Sequence, residues 1–181
     1  MQYHIENVII GENAPQTISV IIEMPQGSQN KYEFDARIGA FVLDRVPKKQ
    51  LQCPFDYGFI PQTLSEDGDA LDILVMGSEP TFVGCVVEAR PIGVLIMLDD
   101  NKRDHKILAA QNKNPRLQNI QKLSDVKQSV LDAIAKYFSK SASFKNEPIE
   151  VVGWQDFDSS RQEIIASHAR WERAKNSQSH P

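Results

Sequence analysis

The amino-acid sequence predicts a mainly β fold with additional helices (α+β), in which a small closed β-barrel carries the helices on its outside. Many short strand-like segments separated by glycine and proline turns fill the first two-thirds of the chain. In the last third, apolar residues recur at helical spacing instead. The length of 181 residues, with 41% hydrophobic and 24% charged residues, suits one soluble domain with a sizeable core. We therefore expect residues 1–181 to form a single domain.

The predicted strands rest on alternating or continuous apolar patterns bounded by turn residues. Residues 31–35 alternate strictly, which places Lys31 and Glu33 on one face and Tyr32 and Phe34 on the other. Residues 18–23 alternate in part and stop at the turn signal Pro25-Gln26-Gly27. The other predicted strands are residues 39–43, 71–76, 81–90, 93–98 and 106–109.

Two helices are predicted after the strands. The first follows the capping pair Ser124-Asp125. The second is expected to begin near Ser159, because Ser159 and Gln162 have the spacing of a capping box. Residues 176–181 are polar and are expected to form a frayed tail. The apolar face of the first helix consists of Val126, Val130, Leu131, Ile134, Tyr137 and Phe138.

Charge and composition exclude several classes of function. A formal net charge of −4 argues against a broad nucleic-acid-binding surface. The longest apolar runs have only strand length, and the N-terminus lacks the layout of a signal peptide, so no membrane association is predicted. Cys53 and Cys85 have neither zinc-ligand spacing nor a dense disulfide pattern, which favours a reducing, cytoplasmic location.

The most informative segment is Asp67-Gly68-Asp69-Ala70-Leu71-Asp72, which runs directly into an apolar strand. Three carboxylates within six residues repel one another unless a cation lies between them or water screens them. Oxygen ligands at short spacing suit a hard divalent ion such as Mg²⁺. The segment is either a metal-binding turn at the rim of a sheet or an ordinary acidic surface turn.

Further charged segments indicate what such a metal could do. Residues 98–106 join two strand-like runs and are rich in carboxylates, while Lys31, Arg45 and Lys145 are cations near strand ends or loop edges. Tyr57 lies in the turn-like segment 54–58. Carboxylates that hold Mg²⁺ next to cations that bind phosphate suggest hydrolysis by a metal-activated water, with Asp69 as a candidate base. Taken singly, each segment fits a solvated loop or strand face equally well.

Taken in order, these segments resemble the soluble family I inorganic pyrophosphatases over about residues 21–175. The matching pieces are Ile22-Glu23-Met24-Pro25, Lys31-Tyr32-Glu33, Asp44-Arg45, Asp56-Tyr57-Gly58-Phe59-Ile60-Pro61, Asp67-Gly68-Asp69-Ala70-Leu71-Asp72, Arg90-Pro91-Ile92-Gly93, Met97-Leu98-Asp99-Asp100, Asp104-His105-Lys106 and Val152-Gly153-Trp154. One such piece is weak support, whereas the ordered set is specific.

The resemblance implies a five-stranded, OB-like closed barrel with flanking helices, and Mg²⁺-dependent hydrolysis of diphosphate to two orthophosphates, with other divalent ions as substitutes. It implies a homo-oligomer, a hexamer in bacterial members. By the same resemblance Asp69 is the proton acceptor. The implied metal ligands are Asp67, Asp72, Asp99 and Asp104, the implied substrate contacts are Lys31, Arg45, Tyr57, Lys106 and Lys145, and the supporting acidic residues are Glu23, Glu33 and Asp100.

The chain departs from the family pattern at several positions. Cys53 and Phe144 stand where tyrosines are usual, Ala70 replaces a proline, and Asp100 replaces a glutamate. The loss of tyrosine at Cys53 and Phe144 motivates an alternative, a catalytically weakened relative that binds diphosphate or polyphosphate as a regulatory or binding protein. A third interpretation, an oligonucleotide-binding barrel, is disfavoured by the acidic charge and the 8% aromatic content.

Overall fold

The computed structural model describes residues 5–46, 51–100, 102–141 and 149–178. Short 3₁₀ turns occur at Ile5–Asn7, Pro115–Leu117 and Leu123–Asp125. The strands and helices are β1 (Ile18–Met24), β2 (Lys31–Asp35), β3 (Ala40–Arg45), β4 (Asp56–Ile60), β5 (Leu71–Met76), β6 (Val86–Asp99), β7 (Lys102–Arg103), β8 (Lys106–Gln111), α1 (Gln128–Ser141), β9 (Ile149–Gln155) and α2 (Phe157–Gln178).

Five strands close into a ring. β1 pairs with β4, β4 with β5, β5 with β8, β8 with β6, and β6 again with β1. The β5–β8 pair is parallel and the other four pairs are antiparallel. Closure leaves the ring without an unpaired edge. The predicted five-stranded, OB-like barrel with flanking helices is confirmed.

The longest strand, β6, corrects one prediction. The sequence predicted separate strands at residues 81–90 and 93–98, whereas β6 is one strand of 14 residues. Pro91 cannot donate a ladder hydrogen bond, and the pairing with β8 shifts register between Pro91 and Gly93. This irregularity accommodates the proline, so the strand continues. β6 also carries β9 and the short β7 along its second half.

The hairpin of β2 and β3 forms a separate two-stranded sheet. Its register places Lys31 directly opposite Arg45 at the open end of the hairpin. Two residues that the sequence proposed as phosphate contacts are therefore neighbours across strands.

The core lies on both faces of the ring strands, as β5 illustrates. Ile73 and Val75 are fully buried in a cluster that includes Ile164 of α2. Leu74, on the opposite face, is buried in a second cluster that includes Ile134 of α1. Successive side chains of a strand point to opposite faces, so the continuous apolar run of β5 is required by burial on both sides. The two helices thus flank the ring.

Both helices begin differently from the prediction. Ser124 and Asp125 belong to a 3₁₀ turn, and α1 begins only at Gln128. The side chain of Asp156, not that of Ser159, caps α2, because its Oδ1 accepts from the Ser159 N–H and Oγ–H, both at 3.1 Å.

Helix α2 also ends later than expected. It reaches Gln178, so residues 176–178 are helical rather than frayed, while residues 179–181 lie outside the described part of the chain. Neither α1 nor α2 combines length and apolarity sufficient to cross a membrane.

Gly58 in β4 is required by a close approach of two strands. The sequence predicted a turn here, but residues 56–60 are a strand paired with β1. A Cβ at position 58 would lie 1.9 Å from the carbonyl oxygen of Ile21, a backbone atom that cannot move without separating the strands.

We expect Gly58→Ala to lower the free energy of unfolding by about 3 kcal/mol, because it forces these strands apart. Chemical denaturation measures the effect. Gly39→Ala is the comparison, since Gly39 has a φ of +65° but no neighbouring atom within 4 Å; its cost should be about 1 kcal/mol. If both variants lost the same unfolding free energy, the close approach of Gly58 to Ile21 would not be the cause of the loss in Gly58→Ala.

Candidate active site

The acidic segment forms a compact turn with its own backbone hydrogen bonds. The Ser65 N–H donates to the Asp69 carbonyl at 2.7 Å, and the Gly68 N–H donates to the Ser65 carbonyl at 3.2 Å. The Asp67 Oδ1 accepts from the Asp69 N–H at 3.1 Å. Gly68 has a φ of +101°, which glycine adopts without strain. The turn leaves Asp67 and Asp69 exposed at the entrance to β5.

A cavity of about 480 Å³ lies beside this turn. Strands β1, β2, β3, β4, β5, β6, β8 and β9, together with α1, contribute to its walls. It therefore brings together segments that are more than 80 residues apart in sequence. Eleven of the predicted site residues line it, namely Glu23, Lys31, Glu33, Arg45, Tyr57, Asp67, Asp69, Asp72, Asp99, Asp104 and Lys106.

Two predicted site residues are not among those that line the cavity. Asp100 occupies the turn between β6 and β7 with a φ of +49° and is exposed, so the structure separates it from its neighbour Asp99. Aspartate tolerates this left-handed conformation better than most residues. Lys145, like Phe144, lies outside the described residues.

Lys106 is the buried cation of the site. Its side chain is 6% exposed, and its Nζ forms ion pairs with the carboxylates of Asp72 and Asp104. Burial alone would lower the pKa of Lys106, but the charges of these two aspartates raise it above its usual range. The ammonium is thus held in its charged form. Asp104 and Lys106 are thus brought together although β8 begins only at Lys106.

The other two cations lie on the β2–β3 hairpin and are more accessible. The side chains of Lys31 and Arg45 are 26% and 41% exposed. Lys31 forms an ion pair with Glu33 and lies 3.9 Å from Asp44, while the Arg45 Nε lies 3.4 Å from the same Asp44 carboxylate. Asp44 therefore holds both cations near each other, where they can bind an anion together.

Among the described residues, seven carboxylates and three cations line the cavity, so negative charge is in excess within this set. Burial and the charge of Asp72 raise the pKa of Glu23 to about 8. Burial likewise raises the pKa of Asp104, against the opposing effect of Lys106. Burial raises the pKa of Asp69 as well, assisted by the charges of Asp67 and Asp72. Carboxylates with raised pKa values that share a cavity are suited to accept additional positive charge.

The donor set fits a divalent metal ion. The available donors are carboxylate oxygens, which Mg²⁺ prefers. Within the described residues, however, no three acidic, histidine or cysteine side chains form a preformed ligand set. The Lys106 ammonium lies between Asp72 and Asp104 and neutralises both. A metal bound here would have to be coordinated by carboxylate lone pairs of Asp72 and Asp104 that do not accept from Lys106.

The raised pKa of Glu23 gives a stability prediction for the metal-free protein. The folded state keeps the Glu23 proton up to about pH 8, whereas the unfolded chain releases it near pH 4.5. Stability should therefore fall as pH rises between these values, by up to about 1.4 kcal/mol per pH unit. Glu23→Gln should remove that part of the slope, because a neutral amide has no proton to release.

Denaturation curves between pH 5 and 9 in the presence of a chelator test this prediction. Glu79→Gln serves as the matched control, because Glu79 is exposed and does not line the cavity. A Glu23→Gln protein with the pH slope of the wild type would contradict the assignment of the slope to Glu23.

Sequence reasoning missed the contribution of α1 to the cavity. Tyr137 and Phe138 line it, although the helical spacing assigned them to the core. The Phe138 ring lies 6.2 Å from the Tyr57 ring, and Tyr137 lies against the buried Cys53. A helical apolar stripe has the same pattern whether it faces a core or a cavity wall, so no signal in the sequence distinguishes the two.

Comparison with known proteins identifies the family. A model of the family described as inorganic pyrophosphatase matches residues 20–172. The chain is 49% identical over 144 residues to the inorganic pyrophosphatase of a Nostoc species, covering 80% of this chain and 85% of that protein. The match to the inorganic pyrophosphatase of Haloferax volcanii is 40% identical and covers 88% and 90%.

The fold gives the same result. The crystal structure of inorganic pyrophosphatase from Thermus thermophilus superimposes with a TM-score of 0.88 at 38% identity, covering 94% of this chain and 99% of that one. The chain therefore belongs to the inorganic pyrophosphatase family.

Proposed function

We propose that this protein hydrolyses inorganic diphosphate to two orthophosphates in a Mg²⁺-dependent reaction. The observation that carries the proposal is the single cavity in which seven carboxylates meet three cations. Carboxylates alone repel a diphosphate, and cations alone bind it without activating water. Family membership supports the same reaction, because the relatives are named inorganic pyrophosphatases.

The proposed metal ligands are Asp67, Asp72, Asp99 and Asp104, which come from the acidic turn, β5, β6 and the approach to β8. Glu23 and Glu33 support them from β1 and β2. When bound, Mg²⁺ supplies charge neutralisation for the phosphate oxygens and lowers the pKa of water. Other divalent ions that accept oxygen ligands are candidate substitutes.

The remaining roles belong to the chain itself. Asp69 is proposed to accept the proton of the attacking water, and its exposed position at the cavity leaves room for that water. Lys31 and Arg45 would bind the phosphate oxygens from the hairpin. Burial and the neighbouring Asp72 hold the pKa of Tyr57 well above its usual range, so its hydroxyl remains a hydrogen-bond donor.

Lys106 is proposed to act mainly on the carboxylates. Its ion pairs with Asp72 and Asp104 use two of the three ammonium N–H groups, which leaves one for a phosphate oxygen. Lys145 is proposed as a further phosphate contact by family resemblance alone.

The direct test is phosphate release from diphosphate with Mg²⁺, with a chelator, and with Mg²⁺ restored. We expect turnover with the metal and at least a 100-fold loss without it, because no metal then neutralises the phosphate oxygens or lowers the pKa of the attacking water. A folded protein that releases no phosphate at any Mg²⁺ concentration would remove the enzyme assignment. If it still bound diphosphate in calorimetry, the non-hydrolytic alternative would replace it.

Oligomeric state and location complete the proposal. We infer a homo-oligomer, a hexamer by family resemblance, and exposed apolar residues such as Ile38 and Phe82, 64% and 68% exposed, are candidates for its contacts. Light scattering gives the mass directly. A cytoplasmic location is consistent with two free cysteines, Cys53 and Cys85, and cell fractionation tests it.

A further inference from the structure

The acidic turn depends on its flanking residues for its position. Its backbone hydrogen bonds, such as that between Ser65 and Asp69, join residues of the turn to one another. On the C-terminal side, the Leu71 N–H donates to the buried Thr63 Oγ1 at 2.9 Å as β5 begins. On the N-terminal side, the residues that precede the turn are held by α2.

Four residues of α2, namely Glu163, Ser167, His168 and Arg170, form what we call the α2 clamp. The Arg170 Nε donates to the Leu64 carbonyl at 2.7 Å. The Leu64 N–H donates to the Ser167 carbonyl at 3.0 Å, and the His168 Nδ1 bonds to the Gln62 carbonyl at 2.7 Å. The chain entering the turn is therefore fixed through its backbone.

The same clamp reaches the second acidic segment. The Arg170 Nη2 donates to the Glu163 Oε1 at 2.9 Å. The other oxygen of that carboxylate, Oε2, accepts from the His105 Nδ1 at 3.2 Å. His105 lies between Asp104 and Lys106 in sequence. One carboxylate thus joins the support of the acidic turn to the support of Asp104.

This connection is well shielded and charged. The side chains of His105, Glu163 and Arg170 are 11%, 18% and 25% exposed. Hydrogen bonds with His105 and Arg170 hold the pKa of Glu163 at about 2, so the carboxylate remains ionised. A partly buried charged network of fixed geometry holds the residues that it joins at fixed relative positions better than an exposed ion pair does.

Lys106 makes the corresponding connection on the cavity side. It pairs with Asp72, which follows the turn, and with Asp104. The two acidic segments are consequently joined by two shielded links, Lys106 inside the cavity and Glu163 behind it, besides the exposed ion pair of Arg103 with Glu66 at 3.5 Å. The separation of their carboxylates depends on both links.

We propose that Glu163 and Arg170 are positioning residues that set the distance between the acidic turn and Asp104, and thereby the affinity of this cavity for its divalent cation. The inference rests on the proposed function, because it assigns the metal to these carboxylates. Loss of residues that orient metal ligands typically lowers metal affinity by about 10- to 100-fold.

The experiment titrates Mg²⁺ into metal-free wild type, Glu163→Gln, Arg170→Met and Arg170→Lys proteins by calorimetry. We expect the dissociation constant to rise about 10-fold in Glu163→Gln and Arg170→Met. Arg170→Lys should be intermediate, because lysine keeps the charge next to Glu163 but lacks the fork that also reaches Leu64. Arg173→Met is the matched control, because Arg173 is an exposed arginine of the same helix.

Kinetics provide the second measurement. At saturating Mg²⁺, Glu163→Gln and Arg170→Met should have a kcat within about threefold of the wild-type value. Their half-saturating Mg²⁺ concentration should stay about 10-fold higher than that of the wild type. A lower melting temperature with unchanged Mg²⁺ affinity would show a purely structural role and overturn the inference. A wild type that binds Mg²⁺ but releases no phosphate would overturn the proposed function alone.

Discussion

Asp69→Asn is expected to lower kcat for diphosphate hydrolysis by about 100- to 10,000-fold, the range typical for loss of a general base. Asparagine has the same shape but cannot accept a proton from water at neutral pH. The turn should survive, because the Asp69 backbone groups bond to Ser65 and to the Asp67 carboxylate, and neither bond involves the Asp69 side chain. The loss should therefore appear in turnover and not in stability.

The pH dependence adds a second readout for the same residue. Burial and the charges of Asp67 and Asp72 raise the pKa of Asp69, which makes it a stronger base but requires a higher pH to ionise it. Wild-type activity should consequently fall as pH drops through this raised value. The residual activity of Asp69→Asn should lack that acidic limb.

Asp132→Asn is the matched control for Asp69→Asn. It makes the same chemical change at an exposed position of α1 that does not line the cavity, and we expect activity within about twofold of wild type. Steady-state kinetics at saturating Mg²⁺ and diphosphate measure both variants. Retention of more than a tenth of wild-type kcat by Asp69→Asn would reject this residue as the proton acceptor.

The order of most elements was predictable because local patterns encode it, although no strand was predicted at β9. The strict alternation of residues 31–35 corresponds to β2, and the apolar run at 71–76 corresponds to β5 with the same bounds. The acidic turn was predictable for a similar reason, since three carboxylates beside a glycine form a local signal. In each case the information lies within a few neighbouring residues.

The errors arose where a tertiary contact overrides a local signal. Pro91 and Gly93 indicate a break between strands, yet the register shift against β8 accommodates them within β6. Gly58 indicates a turn, yet it permits the close approach to Ile21 in the β1–β4 pair. Glycine and proline predict a turn or a break in an isolated segment, whereas within a sheet they can occupy a bulge or a close approach between strands.

The links behind the carboxylates could not be predicted at all. His105 bonds to Glu163 across 58 residues, and Arg170 bonds to Leu64 across 106 residues. No spacing rule connects positions this distant in sequence. The sequence therefore indicates no partner for His105, although this residue connects α2 to the segment of the proposed metal ligand Asp104.

The pairing of Lys106 with two carboxylates leads to the largest expected change in stability. Lys106→Met keeps a side chain of similar length for packing near Phe138, whose ring centroid lies 5.9 Å from Nζ. It leaves the carboxylates of Asp72 and Asp104 without their buried cation. Breaking a buried ion pair on one side typically costs about 3–5 kcal/mol. We expect a loss of that size in the unfolding free energy of the metal-free protein.

Mg²⁺ should reverse part of this loss, because a bound cation restores the missing positive charge between the two acidic segments. The unfolding free energy of Lys106→Met should therefore depend more steeply on Mg²⁺ concentration than that of the wild type. Lys136→Met, an exposed lysine of α1, is the control and should change stability by less than about 0.5 kcal/mol. Denaturation curves at several Mg²⁺ concentrations measure these differences.

A double variant separates lost charge pairing from lost packing. If the cost of Lys106→Met comes from the unpaired carboxylates, then adding Asp104→Asn removes one of them and should recover about 1–2 kcal/mol. If the cost comes from altered packing, the two substitutions should instead add. Two results together would show that Lys106 does not hold these carboxylates together by its charge. The stability losses of the two substitutions would add in the double variant, and the unfolding free energy of Lys106→Met would not depend on Mg²⁺ concentration.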